Sequence, residues 1–336
     1  MSPQNKLTDH KILIFDVYGT LADWESGIHN ALKPLLERYP ASKTWSRQEA
    51  LTAFGSVESD LQVQYPEMIY SELLAKVHER LEDRLKAQSG VASSENPFLA
   101  PGEAEVTSGA GAGSSGSAGA ETQAAAASPG SDDEHKAFGA SIQNWTIFPD
   151  TCAALQRLAK HFKLVVLSNV DRDSFRHTHA LLSEGPTRDT ITSDIRTYTY
   201  PDPNPDRFWH PQEAKGSKSP FTLIVTAQDV GCYKPALGGF RAILEYAKAH
   251  PELFGDLELA EGEDVKEKAL SVAQSIPHDH VAAKNIGMRS VWIDRQSAVT
   301  CNVDPDGPGA KEKWSWKFET LGEMADAVEK ELAAST

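Results

Sequence analysis

The sequence predicts an α/β protein: a doubly wound parallel sheet of the Rossmann-like kind, with a helical cap domain inserted after its first strand. Three observations lead to this prediction. Short apolar runs recur along the chain, helical stretches separate them, and the segment after the first run has helical periodicity without any β-type run. Alternating strands and helices are typical of a parallel sheet that is covered by helices on both faces.

Five apolar runs have the length and composition of buried parallel strands, and each is followed by turn residues or a helix start. These runs are 11–15, 164–167, 223–226, 270–273 and 290–293. Helices are predicted between them at 151–161, 240–250 and Val281–Ile286. Asp150 is the expected N-cap of the first of these helices, and Gly287 ends the last one as a C-cap glycine would. Trp314 and Trp316 alternate, which predicts a further extended segment that packs on the core.

The cap domain is predicted from apolar residues at helical spacing within residues 26–86. These residues are Ile28, Leu32, Leu35, Leu36, Ile69, Leu73, Leu74, Val77 and Leu81. Because the segment lies after the first predicted strand and before the second, the chain leaves the core and then returns to it. We therefore predict a discontinuous core of residues 1–22 and 146–336, and a cap of residues 23–145.

Two stretches depart from this pattern. Gly, Ala and Ser dominate residues 89–134, where large apolar side chains are rare. Such a stretch cannot bury enough surface to offset its ordering entropy, so we predict a disordered, low-complexity insertion within the cap. Residues 185–219 are rich in proline but also in aromatic residues, which favours a packed loop over a free linker.

Composition restricts the classes of partner. The 48 acidic residues outnumber the 33 basic ones and give a formal charge of −15, which repels phosphate backbones and anionic lipid headgroups. We therefore expect a small-molecule substrate and neither a nucleic acid nor a membrane as partner, and the oligomeric state stays open. Three cysteines are too few for a disulfide framework, and residues 1–10 are polar where a secretory signal would be apolar. The sequence thus predicts a cytoplasmic location.

Polar residues follow four of the predicted strands at or shortly after the point where each strand ends. Asp16 follows the first strand, Ser168 and Asn169 follow the second, Lys234 lies in a loop after the third, and Asp279 follows the fourth. Open parallel sheets bind their ligands at the carboxyl ends of the strands, so we expect these side chains to form one site. A carboxylate there can act as a nucleophile, and an ammonium group can neutralise charge.

The segments that contain these residues resemble the four motifs of the haloacid dehalogenase superfamily. They are FDVYGTL at 15–21, LSNVD at 167–171, DVGCYKP at 229–235 and SIPHDHVAAKNIGMRSVWIDR at 275–295. The first and the last most closely resemble the type II 2-haloacid dehalogenase branch. The resemblance covers the chain apart from its two insertions, and it implies a hydrolase with a Rossmann-like core and a cap.

The resemblance also bears on the choice between phosphate and carbon chemistry. Phosphatases of this superfamily usually carry a second aspartate two residues after the nucleophile, where this chain has Tyr18. Their last motif supplies two carboxylates, whereas Asp279 stands alone here and Ser275 occupies the upstream position. Asp16 and Asp279 alone make a poor ligand set for Mg²⁺. The branch therefore implies a reaction at carbon that uses no metal and no other cofactor.

The implied reaction has two steps. Asp16 attacks the carbon that bears the halogen of a haloacid-like anion and forms an ester, which water then hydrolyses with the help of Lys234 and Asp279. The residues assigned to substrate binding are Tyr18, Thr20, Ser168, Asn169 and Arg47. Among these, Thr20 is also expected to orient Asp16, and Arg47 is the candidate receiver of the halide.

Two other functions stay open. One is a phosphatase of the same superfamily that acts on a small phosphoester, and the other is a catalytically idle protein of this fold that binds a partner. Zinc binding by residues 278–280 is disfavoured because no third ligand stands at metal spacing. Trp24, Tyr65 and Tyr70 either line the cap side of the site or pack within the cap.

Overall fold

The core is a six-stranded parallel sheet. The computed structural model describes residues 5–89, 131–204, 208–296, 298–303, 306–307 and 313–335. Its strands are β1 (Ile12–Phe15), β2 (Lys163–Ser168), β3 (Phe221–Thr226), β4 (Ala269–Ala273), β5 (Arg289–Ile293) and β6 (Trp316–Phe318). They are ordered β3-β2-β1-β4-β5-β6, so the chain moves outward from β1 first to one side and then to the other. This order is that of a doubly wound sheet, and the predicted fold class is confirmed.

The five predicted strands are all present, and each agrees with its prediction to within two residues. The extended segment expected around Trp316 is the sixth strand, which pairs with β5 at the edge of the sheet. All four residues of β1 are buried, because it lies between β2 and β4 and helices cover both faces of the sheet. Ile12 and Ile14 join one apolar cluster, whereas Leu13 and Phe15 join the other. The residue after β1 therefore lies at the centre of the sheet's carboxyl edge.

Ten α-helices surround the sheet in the described part of the chain. They are α1 (Trp24–Arg38), α2 (Arg47–Gln64), α3 (Tyr70–Ser89), α4 (Ser131–Gly139), α5 (Thr151–Leu158), α6 (Arg172–Glu184), α7 (Ala227–Val230), α8 (Gly238–Ala249), α9 (Val281–Ile286) and α10 (Leu321–Ala333). The three predicted core helices correspond to α5, α8 and α9, and Gly287 ends α9 in the left-handed conformation with φ +74°. None of these helices is both long and apolar enough to cross a membrane.

Asp150 precedes α5, but its side chain does not cap that helix, contrary to the prediction. Instead one carboxylate oxygen accepts a hydrogen bond from Arg295 at 2.7 Å. The other accepts the backbone amides of Leu321 and Gly322 at the start of α10. The carboxylate therefore joins the end of β5 to the first turn of the C-terminal helix, a contact between distant segments that local pattern does not encode.

The helices α1 to α4 lie between β1 and β2 along the chain, and we call them the cap helices. The four apolar residues predicted for the first of them, from Ile28 to Leu36, are all buried. On α3 the predicted stripe is buried from Leu73 to Leu81, whereas Ile69 lies just before the helix and is 37% exposed. Packing of α3 against both α2 and α4 accounts for this burial.

The predicted low-complexity insertion is only partly covered by the structure. Residues 90–130 lie outside the described residues. Both ends of the predicted range are helical, however, since α3 continues to Ser89 and α4 begins at Ser131. The predicted insertion extends four residues too far, because residues 131–134 form the acidic first turn of α4, a short helix with a buried Phe138 that packs on α3.

The loop of residues 185–219 packs on the core as predicted, over the part that is described. Tyr198, Phe208 and Trp209 are all buried. The Tyr198 hydroxyl donates to Glu184 at 2.8 Å, and the backbone of Trp209 accepts from the amide of Ile224 in β3. Aromatic side chains thus anchor a segment that has little regular secondary structure.

Candidate active site

Asp16 lies directly after the central strand and is 7% exposed. Its backbone amide donates to Val272 of β4, which continues the sheet pairing by one residue. One side-chain oxygen, Oδ2, accepts from the Thr20 hydroxyl at 2.7 Å, and Oδ1 accepts from Lys234 Nζ at 2.7 Å. Both carboxylate oxygens therefore accept a hydrogen bond, which fixes the orientation of the Asp16 side chain.

The turn after β1 brings Thr20 back to the carboxylate. Gly19 has φ +102°, a conformation that side chains rarely adopt, and a Cβ there would come within 3.0 to 3.1 Å of Gln274 and Trp24. The Thr20 hydroxyl, while donating to Asp16, also accepts the backbone amide of Gln274 at 2.8 Å. Gly19 is therefore required for two reasons: its backbone has a positive φ, and there is no room for a side chain.

Lys234 reaches the site from the loop after α7 and is 3% exposed. Its ammonium group bridges two carboxylates, at 2.7 Å from Asp16 Oδ1 and 2.8 Å from Asp279 Oδ1. The Asn169 amide holds the lysine backbone on both sides, since Oδ1 accepts from Lys234 N and Nδ2 donates to Lys234 O. Burial alone would lower the pKa of Lys234, but the two carboxylates outweigh it and the pKa is raised.

Asp279 lies in a short π-helical turn, Ile276–His280, that follows β4. Burial raises the pKa of Asp279 to about 7, with the Asp16 charge acting in the same direction and Lys234 opposing it. Its second oxygen, Oδ2, is buried and has no hydrogen-bond partner. A carboxyl group with a pKa near neutrality can exchange a proton at physiological pH, as a general base must.

A cavity of about 80 Å³ opens above these three residues. The core contributes most of its wall, and the cap helices contribute the rest. The core residues are Asp16, Tyr18, Asn169, Val170, Lys234, Gln274, Ser275, His278, Asp279 and Cys301. The residues from the cap helices are Trp24, Glu58, Gln62 and Tyr70. The site is therefore formed between the sheet edge and the cap, and its size limits it to a small ligand.

The other predicted residues take different places. Tyr18 lines the cavity, but its hydroxyl is engaged with Thr178 at 2.9 Å and burial raises its pKa. Asn169 lines the cavity too, although its amide serves to hold the lysine loop. Ser168 is buried beside it, does not line the cavity, and its hydroxyl has no hydrogen-bond partner.

Arg47 does not line the cavity. Its guanidinium group lies 3.3 Å from Glu25 and 3.8 Å from Asp23, at the start of the cap. The Glu25 carboxylate is 4% exposed and accepts the backbone amides of Val299 and Thr300, at 2.9 to 3.0 Å. Arg47 is thus the counter-ion of a carboxylate that joins α1 to a core loop. The separation of Arg47 from Asp16 along the chain suggested that Arg47 receives the halide. That separation does not determine which carboxylate the arginine contacts in the folded protein.

Sequence reasoning missed two cavity residues from α2, Glu58 and Gln62. Burial raises the pKa of Glu58 to about 7, and the Tyr70 hydroxyl donates to its carboxyl group at 2.6 Å. Of the three cap aromatics considered, Trp24 and Tyr70 line the cavity, whereas Tyr65 does not. The helical pattern of α2 could have indicated Glu58, since it follows the buried Val57 and lies one helical turn before Leu61 on the buried side of the helix.

The donor set does not fit a magnesium ion. The ammonium group of Lys234 already lies between the two carboxylates that would have to bind the metal. Tyr18 stands where a further carboxylate would help, and in the described part of the chain no cluster of three or more His, Cys, Asp and Glu side chains has the geometry to hold an ion. Mg²⁺ requires near-octahedral oxygen ligands, which these residues do not provide.

Comparison with solved structures identifies the fold. No protein-family model matches the sequence, and no curated protein matches it either. The L-2-haloacid dehalogenase from Xanthobacter autotrophicus superposes with a TM-score of 0.50 at 15% identity, over 95% of this chain and 98% of that one. YfnB from Bacillus subtilis, described as a candidate HAD-hydrolase and crystallised with magnesium, gives a TM-score of 0.50 at 13% identity, over 95% and 99%.

The chain has the fold of the haloacid dehalogenase superfamily of hydrolases, as its four motifs predicted. At these identities the likeness concerns the fold alone. The chemistry has to be argued from the residues of this chain.

Proposed function

We propose that this protein is a hydrolase that breaks a carbon–halogen bond by way of a covalent ester on Asp16. One observation carries the proposal: a single buried ammonium group, that of Lys234, bridges Asp16 and Asp279 at the floor of the cavity. A carboxylate held in one orientation beside a second carboxyl group that can take up a proton is what a two-step displacement and hydrolysis requires.

In the first step a carboxylate oxygen of Asp16 attacks the carbon that bears the halogen. A C–O bond forms as the C–X bond breaks, and the halide leaves with the bonding electron pair. Thr20 and Lys234 hold Asp16 in one orientation, which removes the entropic cost of aligning the nucleophile. The halide needs no proton, so the reaction does not require a general acid in the place of Tyr18.

In the second step water attacks the carbonyl carbon of the Asp16 ester. Asp279 takes up the proton of this water, and its pKa of about 7 suits it to that role at neutral pH. The ammonium group of Lys234 stabilises the negative charge that develops on the carbonyl oxygen. Breaking the acyl–oxygen bond releases the alcohol and restores the Asp16 carboxylate, and the net products are an alcohol, a halide ion and a proton.

A phosphatase reaction receives less support from these residues. When a phosphoester is cleaved, its alcohol leaves as an alkoxide that needs a proton, and the Tyr18 hydroxyl at the corresponding position has a raised pKa and is hydrogen-bonded to Thr178. The bridging ammonium group also lies between the two carboxylates that would have to hold the Mg²⁺ ion that phosphoryl transfer commonly uses.

The Asp16 ester is tested by isotope incorporation. A single turnover of a 2-chloro or 2-bromo substrate in H₂¹⁸O should place ¹⁸O in the side chain of Asp16, because water attacks the enzyme's carbonyl group and not the substrate carbon. Peptide mass spectrometry locates the label. Asp16→Asn should release no halide, whereas Asp83→Asn, on the exposed side of α3, should keep full activity.

Two results would contradict the proposal. Label found only in the product alcohol would mean that water attacks carbon directly and that no ester forms. Phosphate release from phosphoesters that EDTA abolishes, with no halide released from any organohalide, would assign the site to a phosphatase.

A further inference from the structure

The charges that line the cavity do not suit an anionic substrate. Lys234 is the one cationic side chain among the described cavity residues, and its ammonium group is already shared between Asp16 and Asp279. His278 adds no charge at neutral pH, because burial lowers its pKa to about 4. A substrate carboxylate entering this cavity would therefore meet no free positive charge.

The cap side of the cavity instead carries a carboxyl group. Glu58 projects from α2 and lines the cavity together with Gln62, one helical turn further along. The groups that face Glu58 are the Tyr70 hydroxyl from α3, which donates to it, and the phenol of Tyr233 and thiol of Cys301 from the core. None of these groups is a cation, so the charge of Glu58 has no partner in the cavity when the group is ionised.

The arginine predicted to bring a positive charge to the cavity is held outside it. Arg47 is paired with Glu25 and Asp23 and does not line the cavity. Moving it would leave the buried Glu25 carboxylate without its counter-ion, which is costly. The cavity therefore presents acceptors and amides on its cap side: a carboxylate, the Gln62 side chain and the hydroxyl of Tyr70.

We propose that Glu58 is the specificity-determining residue of this site, and that it selects uncharged organohalides bearing a hydrogen-bond donor, such as 2-haloamides, over 2-haloacid anions. The ionised carboxylate accepts from the N–H of an amide substrate and repels the carboxylate of an acid of the same shape. The bond that breaks is still the carbon–halogen bond, so the inference rests on the proposed function and refines its substrate class.

The test compares two substrates that differ only in this group, 2-chloropropionamide and 2-chloropropionate. Halide release is measured at pH 8.5, where Glu58 is ionised, for the wild-type protein, Glu58→Gln and Glu79→Gln. We expect the wild-type kcat/KM to favour the amide by at least about tenfold, equivalent to about 1.4 kcal/mol. Glu58→Gln should reduce this ratio by at least about tenfold, and Glu79→Gln, on an exposed position of α3, should leave it unchanged.

A binding measurement keeps the inference falsifiable if Glu58→Gln folds poorly. The wild-type protein should bind lactamide, the product amide, more tightly than lactate, as measured by isothermal titration calorimetry. Turnover of the acid at a rate equal to or above that of the amide, or an unchanged ratio in a folded Glu58→Gln protein, would overturn the inference alone. Halide release from neither substrate, with no label on Asp16, would overturn the proposed function as well.

Discussion

Three ionisable side chains at the sheet edge are buried together and contact one another. Asp16 and Asp279 approach each other only because the Lys234 ammonium group lies between them. The cost of burying these groups is offset by their mutual attraction and by the hydrogen bonds of Thr20 and Asn169. The residues of this site could be named from the sequence, because each follows a strand of a predictable sheet.

Replacing the buried cation should therefore destabilise the whole protein. In Lys234→Met the two carboxyl groups face each other without a counter-ion, and we expect the free energy of unfolding to fall by about 3–5 kcal/mol. Urea denaturation measures this, with Lys215→Met, on an exposed loop, as the control. Adding Asp279→Asn to Lys234→Met should recover part of the loss. A stability equal to that of the control would show that the bridge contributes nothing.

At the scale of the elements, the start of the cap and its last residues meet at a close approach. Gly27 on α1 faces the indole of Trp145, and a Cβ there would lie 2.3 Å from the ring. Gly55 on α2 has nothing within 4 Å of the same position. Both glycines therefore have the same low helix propensity, but only Gly55 has room for a side chain.

Alanine substitutions at these two glycines should change the free energy of unfolding in opposite directions. Gly27→Ala displaces Trp145 and should lower the free energy of unfolding by about 1–3 kcal/mol. Gly55→Ala should raise it by about 0.5–1 kcal/mol through helix propensity alone. Thermal or urea unfolding of both variants decides the matter, and destabilisation of the Gly55 variant by as much as the Gly27 variant would refute the steric explanation.

The spacing of apolar residues was sufficient to predict the sheet and the cap helices. The polar residues that follow the predicted strands were sufficient to predict the cluster of Asp16, Lys234 and Asp279. They were insufficient for contacts that depend on tertiary geometry. Arg47 pairs with Glu25, and Glu58 enters the cavity, because of how α1, α2 and α3 pack together. A local pattern identifies which face of a helix is buried but does not identify the group that it meets.

At the scale of the whole molecule, the net charge of −15 and the carboxyl groups of the cavity act in the same direction against anionic ligands. Burial also links the cavity to stability. It raises the pKa of Glu58 from 4.5 to about 7 and that of Asp279 from 3.8 to about 7. At a pH between the ordinary pKa of each group and its raised pKa in the folded protein, the folded protein keeps a proton that the unfolded chain has lost.

These two groups should therefore make the free energy of unfolding fall as the pH rises from 3.8 to about 7. Glu58→Gln removes one of the two protons and should make this decline shallower, whereas Glu79→Gln should not change it. Urea denaturation at several pH values measures the slope. A slope that is the same in Glu58→Gln as in the wild-type protein would mean that Glu58 titrates alike in the folded and unfolded states.

The contact between Glu25 and residues 299–300 has a consequence for how a ligand enters. This carboxylate fastens the start of α1 to a core loop, and Cys301, the next residue, lines the cavity. Because this contact lies at the start of α1, an opening of the cap has to keep that end of α1 on the core or break these hydrogen bonds. Glu58 and Tyr70 lie on α2 and α3, beyond the contact, so an opening that admits the substrate has to displace the residues proposed to select it.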